Sequence, residues 1–290
     1  MGRLLQDLRF GFRTILKSRG FALVAIATLA LGIGANTAMF TVVYNVLLRP
    51  LPFPEPEGLV AVETLNIRGG VPTPSSFSYP DFRDVRDRNR SFTDVATHTN
   101  NDYTLTGVGE PVHVSTEIAS AGFFNVLGVQ PTLGRSFARD EDQPGHHVIV
   151  LSHQFWARQF NSDHGVMGRF VTLSGRSYTI IGVMPEGFQF PIRSRAIDLW
   201  TTFSKLSEPD EPGESVVTEQ RGAHFLEVIG RLKPGVSRVQ ATADVTTIAQ
   251  DLSAQYPNSN KNNAQMGARP LVEYMVGDSA RALKLLLMAV

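Results

Sequence analysis

From Gly20 to Leu48 the chain carries no charged residue, and that run limits what the rest of the molecule can be. About 20 apolar residues cross a bilayer core roughly 30 Å thick. Wound as a helix at about 1.5 Å per residue, the run is about 43 Å long, with length to spare. Arg3, Arg9, Arg13, Lys17 and Arg19 precede it, against the single anion Asp7. Lys and Arg resist translocation, and the far flank brings Arg49 and then Glu55, Glu57 and Glu63. The expected topology puts residues 1–19 in the cytoplasm, residues 20–48 in the membrane and residues 50–277 outside as one exported domain.

Details of the anchor leave some choices open. Leu4, Leu5, Leu8, Phe12, Ile15 and Leu16 recur near helical spacing among cations, which reads as an amphipathic segment on the anionic inner surface. A plain positive flank without an ordered helix is the alternative. A cleaved signal peptide would have its apolar core over Phe21–Leu31 and small residues near Gly34 and Ala35. Against it, the apolar run continues through Met39, Phe40, Val42, Val43, Val46, Leu47 and Leu48. Ala30, Gly34 and Ala38 share one helix face, where small residues admit a second helix or merely reflect the usual composition of spans. At the other end, Leu283 to Val290 is apolar apart from Lys284, so residues 278–290 are expected to begin a second span that stops short.

Bulk chemistry excludes several functions. Lys plus Arg equals Asp plus Glu at 27 each, so no basic excess marks a nucleic-acid surface. With no cysteine, disulfides, thiolate metal sites and a cysteine nucleophile are excluded. Among the 7 histidines, His146, His147 and His153 lack the usual metal-ligand spacing. Asp140-Glu141-Asp142 lacks the glycine and distal glutamate of a calcium loop and reads as a solvated acidic turn. There is no Gly-x-Ser-x-Gly elbow and no Gly-x-x-x-x-Gly-Lys-Ser/Thr loop. Catalytic, cofactor-binding and metal residues are therefore expected to be none, with no cofactor and no enzymatic activity.

Beyond the prolines of Leu51–Pro56, read as an extended linker, the pattern is mixed. Strands are expected at Leu59–Leu65, Tyr103–Thr106, Val112–Ser115, Val148–Leu151, Arg169–Leu173, Tyr178–Val183, Asp198–Thr201, Phe225–Leu232 and Gln265–Val272. Ser78, Ser152 and Ser237 open helices, the last through a capping box with Gln240. Helix Phe82–Asn89 alternates acid and base, a pattern read as a solvated face. Val71–Ser76, residues 204–222 and the stretch from Pro257 to Asn263 read as loops, the second exposed and mobile. Both ends of the exported part join membrane helices. The first strands are therefore expected beside the last strand–helix–strand unit, with the middle of the chain inserted further out. The fold class is α+β.

Several stretches, taken in order, resemble the membrane permeases of the MacB type, with a MacB-like periplasmic core domain and FtsX-like spans. They include Leu47-Leu48-Arg49-Pro50-Leu51-Pro52-Phe53, Ser78-Tyr79-Pro80-Asp81-Phe82, Phe123-Phe124-Asn125-Val126-Leu127-Gly128-Val129, Leu133-Gly134-Arg135-Ser136-Phe137, Tyr178 to Pro185, Arg231-Leu232-Lys233-Pro234-Gly235-Val236 and Val276-Gly277-Asp278. The resemblance implies a porter-like half built from both ends of the domain and an inserted, strand-rich outer half. It also implies the permease subunit of an ABC transporter in the bacterial inner membrane. A separate ATPase subunit would drive its periplasmic conformational change or export, with a homodimer or pseudo-dimer in lipid and a periplasmic partner protein. The chain departs from that family in stopping within the expected second span. The other reading is a membrane-anchored extracytoplasmic binding or sensor module with no ATPase partner.

Overall fold

A computed structural model describes residues 19–43, 51–68, 71–192 and 195–277. The expected amphipathic segment before Arg19, the end of the first span and the segment after Gly277 lie outside the described residues. The chain divides into two compact units, Met1–Pro50 with Val276–Val290 and Leu51–Met275.

In the first unit, Arg19–Val43 forms one helix, α1. Its Gly20–Thr41 stretch has a mean hydropathy of 1.8, long and apolar enough to cross a membrane. Leu23, Leu29, Leu31 and Ile33 are all exposed, an apolar surface that water would penalise and lipid would not. Thr28 and Thr41 donate their hydroxyls to the carbonyls of Val24 and Thr37, both at 2.8 Å. Back-bonding of this kind leaves no hydroxyl to be desolvated without a partner.

The second unit is organised by an 11-stranded sheet. Strand β1 (Leu59–Arg68) lies between β10 (Glu227–Leu232) and β11 (Gln265–Pro270), antiparallel to both. The first strand of the domain thus sits between its last two. Successive side chains of a strand point to opposite faces. Val60 and Val62 enter one core, where they meet Val245, Ile248, Ala249 and Leu252 of the helix Arg238–Gln255. Leu59 and Ala61 enter the other, which is rich in Phe and holds Trp200. A sheet buried on both faces explains why Leu59–Val62 is apolar without alternation.

Strand β3 (Phe92–Thr106) joins the halves. Phe92–His98 pair with β10, and His98–Leu105 pair with β4 (Val112–Ala119). Beyond it, β6 (Val148–Leu151), β7 (Phe170–Leu173), β8 (Arg176–Val183) and β9 (Leu199–Thr201) complete the outer half. Here a third core gathers Tyr103, Leu105, Ile149, Phe155, Trp156, Tyr178 and Ile180. The sheet is therefore continuous from one half to the other. Its pairing is mixed: β6 runs parallel to β8 and β9 parallel to β4.

Some local expectations are corrected. Val71–Ser75 is a strand, β2, paired with the end of β1 rather than a loop. Pro72 and Pro74 are tolerated because a strand on a sheet margin needs few donors. β3 starts well before Tyr103, because its polar residues find partners: His98 meets Glu117 at 2.7 Å and Thr97 donates to the Glu227 carbonyl. Pro257–Asn260 turns helically, with Pro257 supplying the first residue that needs no donor. Glu141 and Asp142 are buried at 5% exposure each, so the acidic turn is not solvated. Asp81, on the helix α2 (Tyr79–Arg88), is 2% exposed, against the solvated face expected there.

Candidate functional site

Two features of the second unit are built beyond what folding alone requires. The first is the seat of its two ends. Leu51–Pro56 is not a free extended linker: Phe53 is buried, with its ring 5.6 Å from Phe190 and 6.2 Å from Phe188. Arg231 of β10 donates to three carbonyls: Val126 at 2.8 Å, Pro54 at 3.0 Å and Glu55 at 3.2 Å. Val126 belongs to the short helix α3 (Phe123–Leu127), whose last carbonyls have no helical acceptor role left to fill. One guanidinium therefore caps that helix and clamps the entering chain to β10.

The leaving end seats on the same apolar core. Leu271 is buried within it, and Tyr274 and Met275 pack against it, as does Leu51 at the entry. The Tyr274 hydroxyl donates to Glu227 at 3.2 Å. Arg269 pairs with Glu63 at 2.8 Å and lies 5.1 Å from the Tyr274 ring. Burial pushes the Glu63 carboxyl up against the opposing pull of Arg269. Both ends of the domain are thus fixed to β1, β10 and one shared core.

The second feature is a cleft of about 550 Å³ between α2, the start of β3, the approach to α3 and residues 207–219. Its walls include Arg86, Asp94, Arg139 and Asp142. Asp142 holds three segments together. Its carboxylate accepts from the Ala121 N–H at 3.0 Å and the Phe203 N–H at 3.4 Å, and its carbonyl accepts from the Ser207 hydroxyl. Burial pushes its carboxyl up to about 6, because these two amides do not replace full hydration. Burial likewise raises Asp94, against the pull of the Val95 N–H, Arg139 and Arg86.

Residues 204–222 give Ser207, Val216, Thr218 and Glu219 to the wall of this cleft and are tied at both ends, against the mobile loop expected there. At one end Glu208 lies 2.8 Å from His147 Nε2 and accepts from Arg176 and the Gly145 N–H, both at 2.9 Å. Burial raises the Glu208 carboxyl, but these partners outweigh it and hold it below the usual range. At the other end Arg221 meets Asp81 at 2.6 Å and Asp84 at 2.8 Å, and stacks 3.9 Å over Tyr256. The three histidines with the spacing considered for a metal have separate roles here: the His146 N–H donates to the Ser204 hydroxyl, His147 faces Glu208, and His153 meets Trp156 edge-on.

A family model described as the MacB-like periplasmic core domain matches residues 22–248. The chain belongs to that family. Solved structures agree on the fold. A domain of a Porphyromonas gingivalis protein described as a permease is 18% identical, with a TM-score of 0.52, covering 76% of this chain and 93% of that one. The extracellular domain of the noncanonic ABC-type transporter YknZ from Gram-positive bacteria is 14% identical, with a TM-score of 0.51, over 72% and 98% of the two chains. The periplasmic region of MacB from Actinobacillus actinomycetemcomitans is 11% identical, with a TM-score of 0.52, over 85% and 99%. Among curated proteins no sequence matches. The MacB-like domain is thus carried by a chain with an apolar helix near its N-terminus, the arrangement of a membrane-anchored transporter subunit with an extracytoplasmic domain.

Proposed function

We propose that this chain is part of the permease subunit of an ABC transporter, and that a separate ATPase moves its extracytoplasmic domain through the membrane helices. The N-terminus lies in the cytoplasm, the anchor in the bacterial inner membrane and the domain in the periplasm. The subunit acts as a homodimer or pseudo-dimer and meets a periplasmic partner protein.

One observation supports this reading: both ends of the domain are seated on a single core, by Phe53, Leu271 and the Arg231 clamp. A chain end packed into a core passes on a displacement that reaches it, whereas a loose end absorbs it. A domain that only held a ligand outside the membrane would not need both ends fixed in this way. The test is co-purification of the subunit, with all of its spans, with an ATP-binding-cassette ATPase. An ATPase whose turnover changes on assembly supports the reading. A folded, membrane-inserted subunit that retains no ATPase rejects it, and leaves the anchored binding module, which the cleft favours.

A further inference from the structure

Among the described residues the buried carboxylates are Asp81, Glu117, Glu141, Asp142 and Asp198. All but one meet a basic side chain: Asp81 meets Arg221, Glu117 meets His98, Glu141 meets Arg135 and Asp198 meets Arg158. Asp142 is the exception, and it lines the cleft. Each of its oxygens accepts one amide N–H, from Ala121 and from Phe203, which leaves lone pairs unused. A buried carboxylate is costly unless an opposite charge meets it. Asp94 stands beside it. Its Oδ2 lies 3.0 Å from where a Cβ on Gly122 would sit, next to the Ala121 that Asp142 holds. Among the described residues only the N–H of its neighbour Val95 bonds the Asp94 side chain. Tyr79, 6% exposed, also lines the cleft, and its hydroxyl has no hydrogen-bond partner among the described residues. Burial, and then the charge of Asp142, push this phenol up, as expected of a hydroxyl aimed towards that carboxylate. Other charges on the walls are matched. Arg86 reaches both oxygens of Asp87, at 2.8 and 3.2 Å, and Arg83 reaches both of Glu219. Asp94 and Asp142 remain against Arg139 alone, so the cleft lacks one positive charge.

We propose that the cleft binds a small organic solute by its primary ammonium group, held by the carboxylates of Asp94 and Asp142 and the hydroxyl of Tyr79. An ammonium brings three N–H donors, and these three side chains offer it acceptors. A calcium ion takes about six to eight oxygens, more than these groups have free. At about 550 Å³ the cleft lies within the range of small-molecule sites, roughly 300–1,000 Å³, so the amine can carry a body beyond its charged group. The proposal is independent of any ATPase, because the whole cleft lies within one compact unit.

The test is calorimetric titration of the detergent-solubilised chain with propylamine, propanol, tetramethylammonium and calcium chloride, with the heats of empty micelles subtracted. At pH 7 propylamine is charged, and Asp142 is ionised because burial raises its carboxyl only to about 6. Propylamine should bind saturably. Asp142→Asn should weaken it by about tenfold or more, and so should Asp94→Asn, a half-buried position whose replacement leaves the fold intact should Asp142→Asn disturb it. Near-ultraviolet circular dichroism identifies the variants that fold as the parent does. Tyr79→Phe should cost about threefold, the worth of one neutral hydrogen bond. Arg139→Gln should tighten binding, because it removes the opposing charge. Absence of saturable propylamine binding, or binding indifferent to both aspartate variants, overturns the site. Propanol or tetramethylammonium binding as tightly as propylamine overturns the ammonium, and calcium binding more tightly than propylamine overturns the organic solute.

Discussion

At the scale of single residues, Asp142 shows how a side chain can organise a fold at an electrostatic cost. Its carboxylate joins the approach to α3 with the chain after β9, at the price of desolvation. The folded state raises its pKa from 3.8 to about 6, so folding favours the neutral form. The stabilising contribution is full below the unfolded value near 4 and is lost as pH rises through about 6. A shift of ~2 units corresponds to about 3 kcal/mol. Asp142→Asn keeps one acceptor and cannot ionise. Urea unfolding at pH 4 and pH 7 should show the variant gaining about 2 kcal/mol on the parent between the two. Parallel pH dependences would mean that Asp142 is not desolvated as described. Glu208 works in the opposite sense, since its partners hold it low and its contribution fades on acidification.

Among elements, close backbone approach sets the limits in the outer half. Leu133–Gly134 (β5) crosses against Gly182–Val183 of β8. Gly134 has φ +76, and a Cβ there would collide with the Ile181 carbonyl and lie 2.8 Å from the Met167 sulfur. Gly134→Ala therefore faces both the left-handed backbone and a clash with main chain. A loss of about 3 kcal/mol or more is expected in equilibrium unfolding, among the largest single-residue effects in the domain. Survival of Gly134→Ala with near-parental stability would show that β5 can move away from β8. The helix at Arg238–Gln255 illustrates the opposite case, where local chemistry suffices. Ser237 accepts from the Gln240 N–H and Gln240 accepts from the Ser237 N–H, the reciprocal pair that its spacing announces.

At the scale of the whole molecule, the seats of the domain's two ends can be tested through Arg231. Arg231→Ala removes three hydrogen bonds, two of them to the exposed residues Pro54 and Glu55 and one to the buried Val126, so a stability loss of about 2 kcal/mol is expected. Hydrogen exchange should rise over residues 51–58 and remain slow in β1 and β10. Arg231→Lys should restore only part of the protection, because an ammonium cannot span three carbonyls as a planar fork does. Unchanged exchange over residues 51–58 would place the hold on the entering chain in Phe53 alone. Under the proposed ATPase-driven function, the same variant in the assembled transporter should keep ATPase turnover and lose coupled transport.

The division between sequence and structure follows the range of the forces. The apolar helix, the three serine-capped helices, the tight hairpin at Ser174-Gly175 and the α+β class are local matters: hydropathy, a hydroxyl beside free N–H groups, and residues that accept positive φ. These were legible because each signal lies within a few residues of what it specifies. The strand at Val71–Ser75, the polar first half of β3 and the tied segment 204–222 were not. The first pairs with Thr64–Arg68 just before it, across two prolines that hide the strand pattern. The other two are held by partners 19 to 140 residues distant, Glu117 for His98, Arg176 for Glu208 and Asp81 for Arg221. A charged segment looks like loop until a counter-charge satisfies it, and only the tertiary structure supplies that partner.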